Sequence, residues 1–340
     1  MAGILIKPED IVRVIAALPP ETSNARTYFQ RVVNKNSDIL AKSEIMSTVG
    51  NIPVISTGET GVRPAYGATL DYVRPMSVDI DDNFTAAEES EFERATSLGQ
   101  QQMIDDRLAR WAQLVRNTTK ALCAQAHKGA IDYMMKSGNA NIRYQVSYGT
   151  VAVVTSAVQI SAVTTGQLIG FLEALNAKIN ENGVGGAIDY VCSSAWYAKI
   201  IELASNQTKL NATVGDGYID FAGYRIRRDN DTYKDDVSGT LTVKRMLGDN
   251  ELIARAKDAG QALYFMKIDD VVQRAAVPLY AFTKVRHDQR GTDLFVKSKP
   301  FPLINVKGLA LLQVGVTKQP SQTNLPDSDP AANTLLNTEE

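Results

Sequence analysis

The residues that could support catalysis are few and scattered along the chain. His127 and His287 are the only histidines, Cys123 and Cys192 are the only cysteines, and none of the four lies in a recognisable catalytic motif. Because a serine or cysteine nucleophile needs a nearby base, this distribution gives little support to nucleophilic catalysis. His127 falls on a predicted helix beside Lys128, which is typical of a surface or interface residue. Both cysteines fall in apolar patterns that predict buried thiols.

Acidic residues are numerous, but their spacing favours neither metal nor acid–base chemistry. The run Asp79-Ile80-Asp81-Asp82-Asn83 lacks the central glycine and distal glutamate of a calcium loop. An acidic turn leading into a helix accounts for this run, since negative charge is favourable at a helix N-terminus. No pair among the other candidates is placed against an apolar pocket that would separate two carboxyl pKa values. These candidates are Asp235, Asp236, Asp249, Asp269 and Asp270. We therefore expect no enzyme activity and no metal or other cofactor.

Two further segments have the composition of ligand-binding loops. Gly183-Val184-Gly185-Gly186 follows a predicted helix and precedes a strand, whereas a dinucleotide-binding fingerprint follows a strand and opens a helix. We interpret this cluster as a connecting loop. The segment 284–290 is basic and turn-like, and contains Arg286, His287 and Arg290. It could meet an anion or an acidic neighbour, although a solvated loop is the simpler interpretation.

Composition indicates a chain able to bury large hydrophobic cores. The 340 residues are 44% hydrophobic and 22% charged, which allows roughly two domain-sized cores. The first ten residues lack the basic region and long apolar run of a signal peptide, and no segment approaches the roughly 20 apolar residues of a membrane span. We expect a soluble protein, made in a reducing compartment, with no membrane partner. A net charge of −2 without a dense basic stripe argues against tight binding of nucleic acid.

The N-terminal quarter predicts a helix, an arm and a projecting hairpin. Residues 8–18 form an amphipathic pattern that begins with Pro8 and acidic residues, and residues 21–45 read as an arm with one packing anchor. Residues 46–82 alternate apolar and polar groups between glycines and prolines, which predicts two strands joined by a long loop. The pattern provides few core partners for this hairpin. We therefore expect it to order itself against something else, such as a neighbouring subunit.

The longest predicted element is a helix that begins near residue 85. Thr85-Ala86-Ala87-Glu88 has the form of a capping box, and a single apolar stripe with helical spacing follows. The stripe comprises Ile104, Leu108, Trp111, Val115, Thr118, Leu122 and Ala126. We predict that the helix bends near Gly99, extends to about Met135 and stops at Ser137-Gly138-Asn139.

The second half of the chain mixes strands with two shorter helices. The patterns predict strands within 141–160, a helix over 165–181, a strand at Ile188-Asp189-Tyr190-Val191-Cys192, a helix near 194–204 and mainly strands from 214 to 316. Because this order lacks regular strand–helix alternation, the predicted fold class is α+β. Residues 317–340 are polar and should be mobile unless a partner orders them.

Four stretches in this order resemble the lambda-type major capsid protein family of tailed bacteriophages, whose fold is the Hong Kong 97-type capsid fold. The resemblance extends over roughly residues 27–316. The stretches are Tyr66 to Glu88, Gly223 to Gly239, Met246 to Ile253 with Gly260 to Tyr264, and Lys297 to Asn305.

The resemblance implies a division of the chain into the parts of that fold. These are an N-terminal arm (1–45), an extended loop (46–82), a peripheral domain (83–163) whose spine helix occupies about 85–137, an axial domain (164–275), closing strands (276–316) and a flexible tail (317–340).

The resemblance also implies the function of a major capsid protein, a head protein that self-assembles as pentamers and hexamers into an icosahedral shell around packaged double-stranded DNA. Assembly in the bacterial host cytoplasm would give a procapsid that matures into the virion. The arm is too short to be an internal scaffold, so we expect separate scaffolding and portal proteins, and the resemblance allows a decoration protein. The expected inter-subunit contacts are Arg63, Tyr66, Tyr72, Arg74, Arg286, His287 and Arg290. A bacterial nanocompartment shell of the same fold and a phage tail structural protein are the alternatives.

Overall fold

The computed structural model describes residues 4–41, 72–137, 140–205, 212–237, 240–268, 275–285 and 292–316. Within these ranges the chain forms six α-helices and nineteen strands. The helices are α1 (Pro8–Ala17), α2 (Asn24–Thr27), α3 (Ala86–Arg94), α4 (Ser97–Ala126), α5 (Thr165–Glu181) and α6 (Ser194–Ser205).

The strands are distributed over the whole described chain. They are β1 (Arg31–Lys35), β2 (Leu40–Ala41), β3 (Tyr72–Val73), β4 (Val78–Phe84), β5 (Ala130–Ser137), β6 (Ala140–Ser147), β7 (Ala152–Ser156), β8 (Ile188–Cys192), β9 (Ala212–Val214), β10 (Tyr218–Phe221), β11 (Tyr224–Arg228), β12 (Thr232–Val237), β13 (Thr240–Arg245), β14 (Glu251–Ala256), β15 (Ala262–Met266), β16 (Tyr280–Val285), β17 (Thr292–Ser298), β18 (Pro300–Leu303) and β19 (Leu309–Val314).

The largest sheet has seven strands in the order β7-β19-β14-β8-β11-β10-β9. It is mixed, since β14 runs antiparallel to both β19 and β8 whereas β8 and β11 are parallel. Two three-stranded sheets have the orders β1-β15-β18 and β16-β17-β4, and the pairs β5-β6, β12-β13 and β2-β3 stand apart. The mixture of helices with mainly antiparallel strands confirms the predicted α+β class.

Three hydrophobic clusters hold these elements together. In the first, here named the sheet core, α5 and α6 bury Leu172 and Trp196 against the seven-stranded sheet. In the second, the central core, the C-terminal end of α4 packs with Phe29, β15 and β18. In the third, the helix core, the first half of α4 packs against α1, β4, β16 and β17 around Trp111. Full burial of one such large apolar side chain contributes roughly 1.5–3 kcal/mol.

Several helices begin where proline or a capping box in the sequence predicts a start. Pro8 occupies the first turn of α1, and reciprocal capping boxes open α3 at Thr85 and Glu88 and α5 at Thr164 and Gln167. These caps satisfy amide groups that have no partner within the helix. At the other end of α5, Gly183 has a positive φ of 73°, and the glycine cluster is a loop as predicted.

The long helix differs from the prediction at both ends. It is interrupted at Ala95 and Thr96, which have extended backbone, and the side chain of Thr96 then caps α4 at the amide of Gly99. The break therefore precedes Gly99 and does not lie at it. At the other end α4 stops at Ala126, so the expected extension to about residue 135 is wrong.

A glycine turn and strand pairing explain why the helix ends early. Gly129 has a φ of 86°, and a Cβ atom there would lie 2.6 Å from the carbonyl oxygen of Gly149. Such a conformation favours glycine and redirects the chain. The following residues form β5, which pairs with β6 along its whole length, from Ala130 opposite Ser147 to Ser137 opposite Ala140. β-branched and aromatic residues alternate along this hairpin and pack well on the pleated surface of a strand. This packing favours the hairpin over a further helical turn.

The acidic run at residues 79–83 is also not the turn that we expected. It lies in β4, which pairs antiparallel with β17. Burial alternates along the strand, since Val78, Ile80 and Phe84 contact the helix core whereas Asp79 and Asp81 are exposed. This period of two is the signature of a half-buried strand, and it outweighed the acidic composition.

The sheet core is not continuous in sequence. Its sheet includes β7 and β19, which lie outside the segment 164–275 that we expected to form the axial domain. β19 pairs with β14 on one side and with β7 on the other, so strands from before and after this segment complete the sheet. None of the described helices has the length and apolar composition needed to cross a membrane.

Candidate inter-subunit site

Two of the expected contact residues, Tyr72 and Arg74, lie at the β2–β3 pair, here named the first stem. β2 and β3 pair antiparallel, with Leu40 opposite Val73 and Ala41 opposite Tyr72. Leu40 and Val73 are buried and anchor this stem in the central core. Tyr72 is 54% exposed and Arg74 is also exposed, on the side opposite Val73. The stem thus presents an aromatic ring and a guanidinium group to the surroundings.

The second stem lies at the end of the β16–β17 hairpin. Lys284 is exposed and stands opposite Asp293, while Val285 is 48% exposed. Thr292 closes the hairpin from the other strand and donates a hydrogen bond to Glu89 of α3. Arg286, His287 and Arg290 follow Val285 and lie outside the described residues, as do Arg63 and Tyr66.

The two stems belong to different parts of the fold. Val73 lies in the central core, whereas Phe84, which pairs with Thr292, lies in the helix core. The described residues next to the expected contacts therefore pack in two different hydrophobic clusters, and whether they contact a neighbouring subunit stays a prediction.

Arg107 connects β4, α3 and α4, a role that we did not predict. Its guanidinium group bonds Glu88 at 2.7 Å and the carbonyl oxygen of Asn83 at 2.7 Å, and lies 3.3 Å from Asp82. It also lies 4.6 Å from the ring centroid of Phe84. The sequence did contain a signal, because position 107 is three residues after Ile104 and four before Trp111, on the flank of the buried stripe.

A buried charge network lies where α4 meets the seven-stranded sheet. Arg255 of β14 stands opposite Asp189 of β8 and forms an ion pair with it, and both are at most 5% exposed. Arg227 approaches the same carboxylate at 2.6 Å. A second Arg255 nitrogen lies 3.2 Å from Nε2 of His127. Sequence reasoning missed this network as well.

His127 is not the surface residue that we expected. It is 1% exposed, and its Nδ1 lies 2.7 Å from the carbonyl oxygen of Cys123. Because arginine has only donors, Nε2 must accept from Arg255, which places the ring proton on Nδ1. Burial, reinforced by the charge of Arg255, lowers the pKa of His127 to about 3. The histidine is thus a neutral structural group. Cys123 and Cys192 are buried as predicted.

The carboxylates that we considered for catalysis also have structural surroundings. Asp235 is buried between Lys244 at 2.5 Å and Arg143 at 3.4 Å. Asp249 pairs at the surface with Arg245. The side chains of Asp236, Asp269 and Asp270 lie outside the described residues. Among the described side chains, no group of three or more histidine, cysteine, aspartate or glutamate residues could hold a metal ion.

Asp229 is the described carboxylate whose protonation the fold alters most. It accepts hydrogen bonds from the amides of Asp231 at 3.0 Å and Leu247 at 3.3 Å. Burial nevertheless dominates and raises the pKa of Asp229 to about 6. Asp231 beside it accepts from Ser23 and Ala25.

These features define a class of protein. A long helix lying on a three-stranded sheet and a second unit built on a mixed sheet are features of the Hong Kong 97-type fold of phage capsid subunits. The expected fold is confirmed by two solved structures. The putative capsid protein of a prophage of Escherichia coli CFT073 superposes with a TM-score of 0.59 at 10% sequence identity, over 92% of this chain and 100% of that chain. A phage-related protein from Bordetella bronchiseptica RB50 gives 0.52 at 9% identity, over 92% and 98%.

The family follows from the sequence itself. The model of the family described as phage major capsid protein E matches residues 9–310, and the chain belongs to this family. No curated protein sequence matches it significantly. The chain is therefore a structural protein of the phage virion that self-assembles into the capsid shell.

Proposed function

We propose that the chain forms pentamers and hexamers that close into an icosahedral head around packaged double-stranded DNA. The observation that carries this proposal is the family match over residues 9–310, together with a capsid fold that covers 92% of the chain. A closed lattice needs heterologous contacts that return on themselves instead of continuing as a filament. The exposed residues at the two stems are the proposed surfaces for such contacts.

The extended loop that we expected over residues 46–82 is proposed to lie over an adjacent subunit in its part before Tyr72. The β2–β3 pair supports this role, because Leu40 and Val73 are buried in the central core whereas Tyr72 beside them is exposed. Arg63, Tyr66, Tyr72 and Arg74 would then contact the neighbour on one side of the subunit. Arg286, His287 and Arg290 would form the second contact, beyond the β16–β17 hairpin.

The chain is proposed to act with a scaffolding protein and a portal protein, and to assemble in the cytoplasm of the bacterial host; its family resemblance allows a decoration protein as well. Its net charge of −2 suits a container that encloses DNA without binding it tightly. Its role is geometric and needs no catalytic group. The described candidates support this, since His127 and Asp235 are each committed to buried structural contacts.

Electron microscopy of the purified chain tests the proposal. We expect closed icosahedral particles, or rings of five and six subunits, when the chain is expressed with the neighbouring structural genes of its phage. Closed particles that form from the chain alone around a protein cargo would favour the nanocompartment alternative. Open tubes would favour a tail protein, and a persistent monomer under every condition would contradict the shell function.

A further inference from the structure

The N-terminal segment 21–29, here named the strap, is held in a polar socket on the body. Ser23 Oγ and the Ala25 amide each donate to one oxygen of Asp231 at 2.8 Å. The Asn24 side chain donates to the carbonyl oxygen of Arg228 at 2.8 Å. Arg255 donates to the carbonyl oxygen of Asn24 at 2.9 Å. The strap thus contacts the turn that follows β11 and the interior of the seven-stranded sheet.

The charges of this socket are balanced without the strap. Asp231 lies 3.5 Å from Lys120 of α4, and Asp189 pairs with both Arg227 and Arg255. The strap contributes a hydroxyl, amides, a carbonyl and an aromatic ring to these charges, and its own charged residues, Glu21 and Arg26, pair with each other at 3.1 Å. Its departure would therefore leave no buried charge without a partner, and water could replace each lost hydrogen bond.

Apolar anchors oppose this departure. Ala25, Tyr28 and Phe29 are at most 5% exposed. The ring centroid of Tyr28 lies 4.8 Å from the Arg255 guanidinium group and 5.1 Å from the ring of His127. The strap is therefore docked in the dominant state, and its release is a local opening of the kind that needs less free energy than global unfolding.

We propose that the strap detaches from its socket as a unit while α4 and the seven-stranded sheet remain folded. The strap joins the end of α4 to β14 and to the turn after β11, beside the direct contacts of Lys120 with Asp231 and of His127 with Arg255. Its release would therefore loosen the junction between the long helix and the sheet and leave these two contacts in place. In a shell subunit that must fit more than one lattice environment, this junction is where a change of angle would be absorbed. The proposal concerns the isolated subunit and does not depend on the assembly function.

The two buried cysteines provide a direct test, because they lie in different cores. Cys123 shares the central core with Ala25, Tyr28 and Phe29, one turn before His127. Cys192 lies in the sheet core beside Trp196. Iodoacetamide labelling of the native full chain, resolved for each cysteine by mass spectrometry, should modify Cys123 at least tenfold faster than Cys192. Weakening the strap by Ser23→Ala with Asn24→Ala should accelerate Cys123 about tenfold further and leave Cys192 unchanged.

A matched control removes a side-chain hydrogen bond of similar length from α4. The exposed side chains of Gln113 and Asn117 bond each other at 3.0 Å, so Gln113→Ala with Asn117→Ala should change neither labelling rate. Asp231→Asn weakens the socket from the other side and should reproduce the selective effect. Equal labelling of the two cysteines in the native chain, or acceleration of both by the strap variant, would mean that the strap leaves only on global unfolding and would overturn the proposal.

Discussion

At the residue scale, paired charges interrupt two apolar strands. Asp189 breaks the run Ile188-Asp189-Tyr190-Val191-Cys192, and Arg255 breaks the run from Leu252 to Ala256. A single charge in a fully buried strand is costly, but the antiparallel register places these two opposite each other. The two sequence irregularities therefore compensate one another. They also specify the register, because a slip by one residue would leave both charges buried against apolar neighbours.

Removal of one member of this pair should strongly destabilise the subunit. We expect Arg255→Met to lower the free energy of unfolding by about 3 kcal/mol, because Asp189 would remain buried with only Arg227 to balance it. Urea unfolding of the wild type and the variant measures the difference. The matched control is Arg225→Met, which breaks a surface pair with Asp220 and should have little effect. Similar losses from both variants would show that burial of the Arg255 pair is unimportant.

The free energy of unfolding should also depend on the protonation of Asp229. Since the pKa of Asp229 rises from 3.8 when unfolded to about 6 when folded, the native state binds a proton more tightly. Its stabilising contribution is complete below pH 3.8 and is lost as the pH rises through 6, and amounts to roughly 3 kcal/mol at most. His127, whose pKa is lowered, acts in the opposite direction.

The difference in stability between wild type and Asp229→Asn isolates this effect. Relative to the variant, the wild type should gain stability as the pH falls from 7.5 to 4. Urea unfolding at several pH values provides the measurement. A constant difference over this range would contradict the predicted protonation.

At the element scale, the end of the long helix depends on one glycine. Gly129→Ala should lower the free energy of unfolding by more than about 1 kcal/mol, because φ is positive and the new Cβ would meet the Gly149 carbonyl oxygen. The control is Gly170→Ala in α5, where a Cβ would meet nothing within 4 Å. That change should stabilise by roughly 0.5–1 kcal/mol. Thermal unfolding compares the two, and equal signs would contradict the assignment of the turn.

The position of α3 depends on Arg107. No α3 residue is fully buried, so polar contacts with Glu88 and Asn83 carry much of its attachment. We expect Arg107→Met to accelerate amide hydrogen exchange within residues 86–94 by about tenfold, which corresponds to about 1.4 kcal/mol. The control is Arg116→Met further along α4, which removes a hydrogen bond to the carbonyl oxygen of Pro19 and should leave that exchange unchanged.

At the scale of the whole molecule, surfaces that are unimportant for folding should be important for assembly. Tyr72→Ala with Arg74→Ala changes two exposed side chains beside a buried stem, so the thermal stability of the subunit should change by no more than about 0.5 kcal/mol. The yield of closed particles, counted by electron microscopy after coexpression, should nevertheless fall severely. Normal particle yield would remove these residues from the proposed contacts, and loss of subunit stability would make them part of the fold.

Local rules in the sequence determined most of the elements of this protein. Capping boxes at Thr85 and Thr164, the apolar stripe of α4 and the alternating strands of the second half each depend on neighbours within a few residues. These patterns were sufficient for the α+β class, and the ordered stretches resembling capsid proteins supplied the family. Such elements can be predicted from the sequence because each forms its backbone hydrogen bonds and its apolar face from residues that are close together in the chain.

Only the tertiary structure decided where long-range partners replaced local preference. Residues 130–137 form β5 instead of extending the predicted helix, because β6 pairs with them along their whole length. The acidic run forms β4 because it pairs with β17. The burial of His127 and the pairing of Asp189 with Arg255 likewise join residues more than 60 positions apart. Pairing at such distances depends on how the whole chain closes, which spacing along the sequence does not encode.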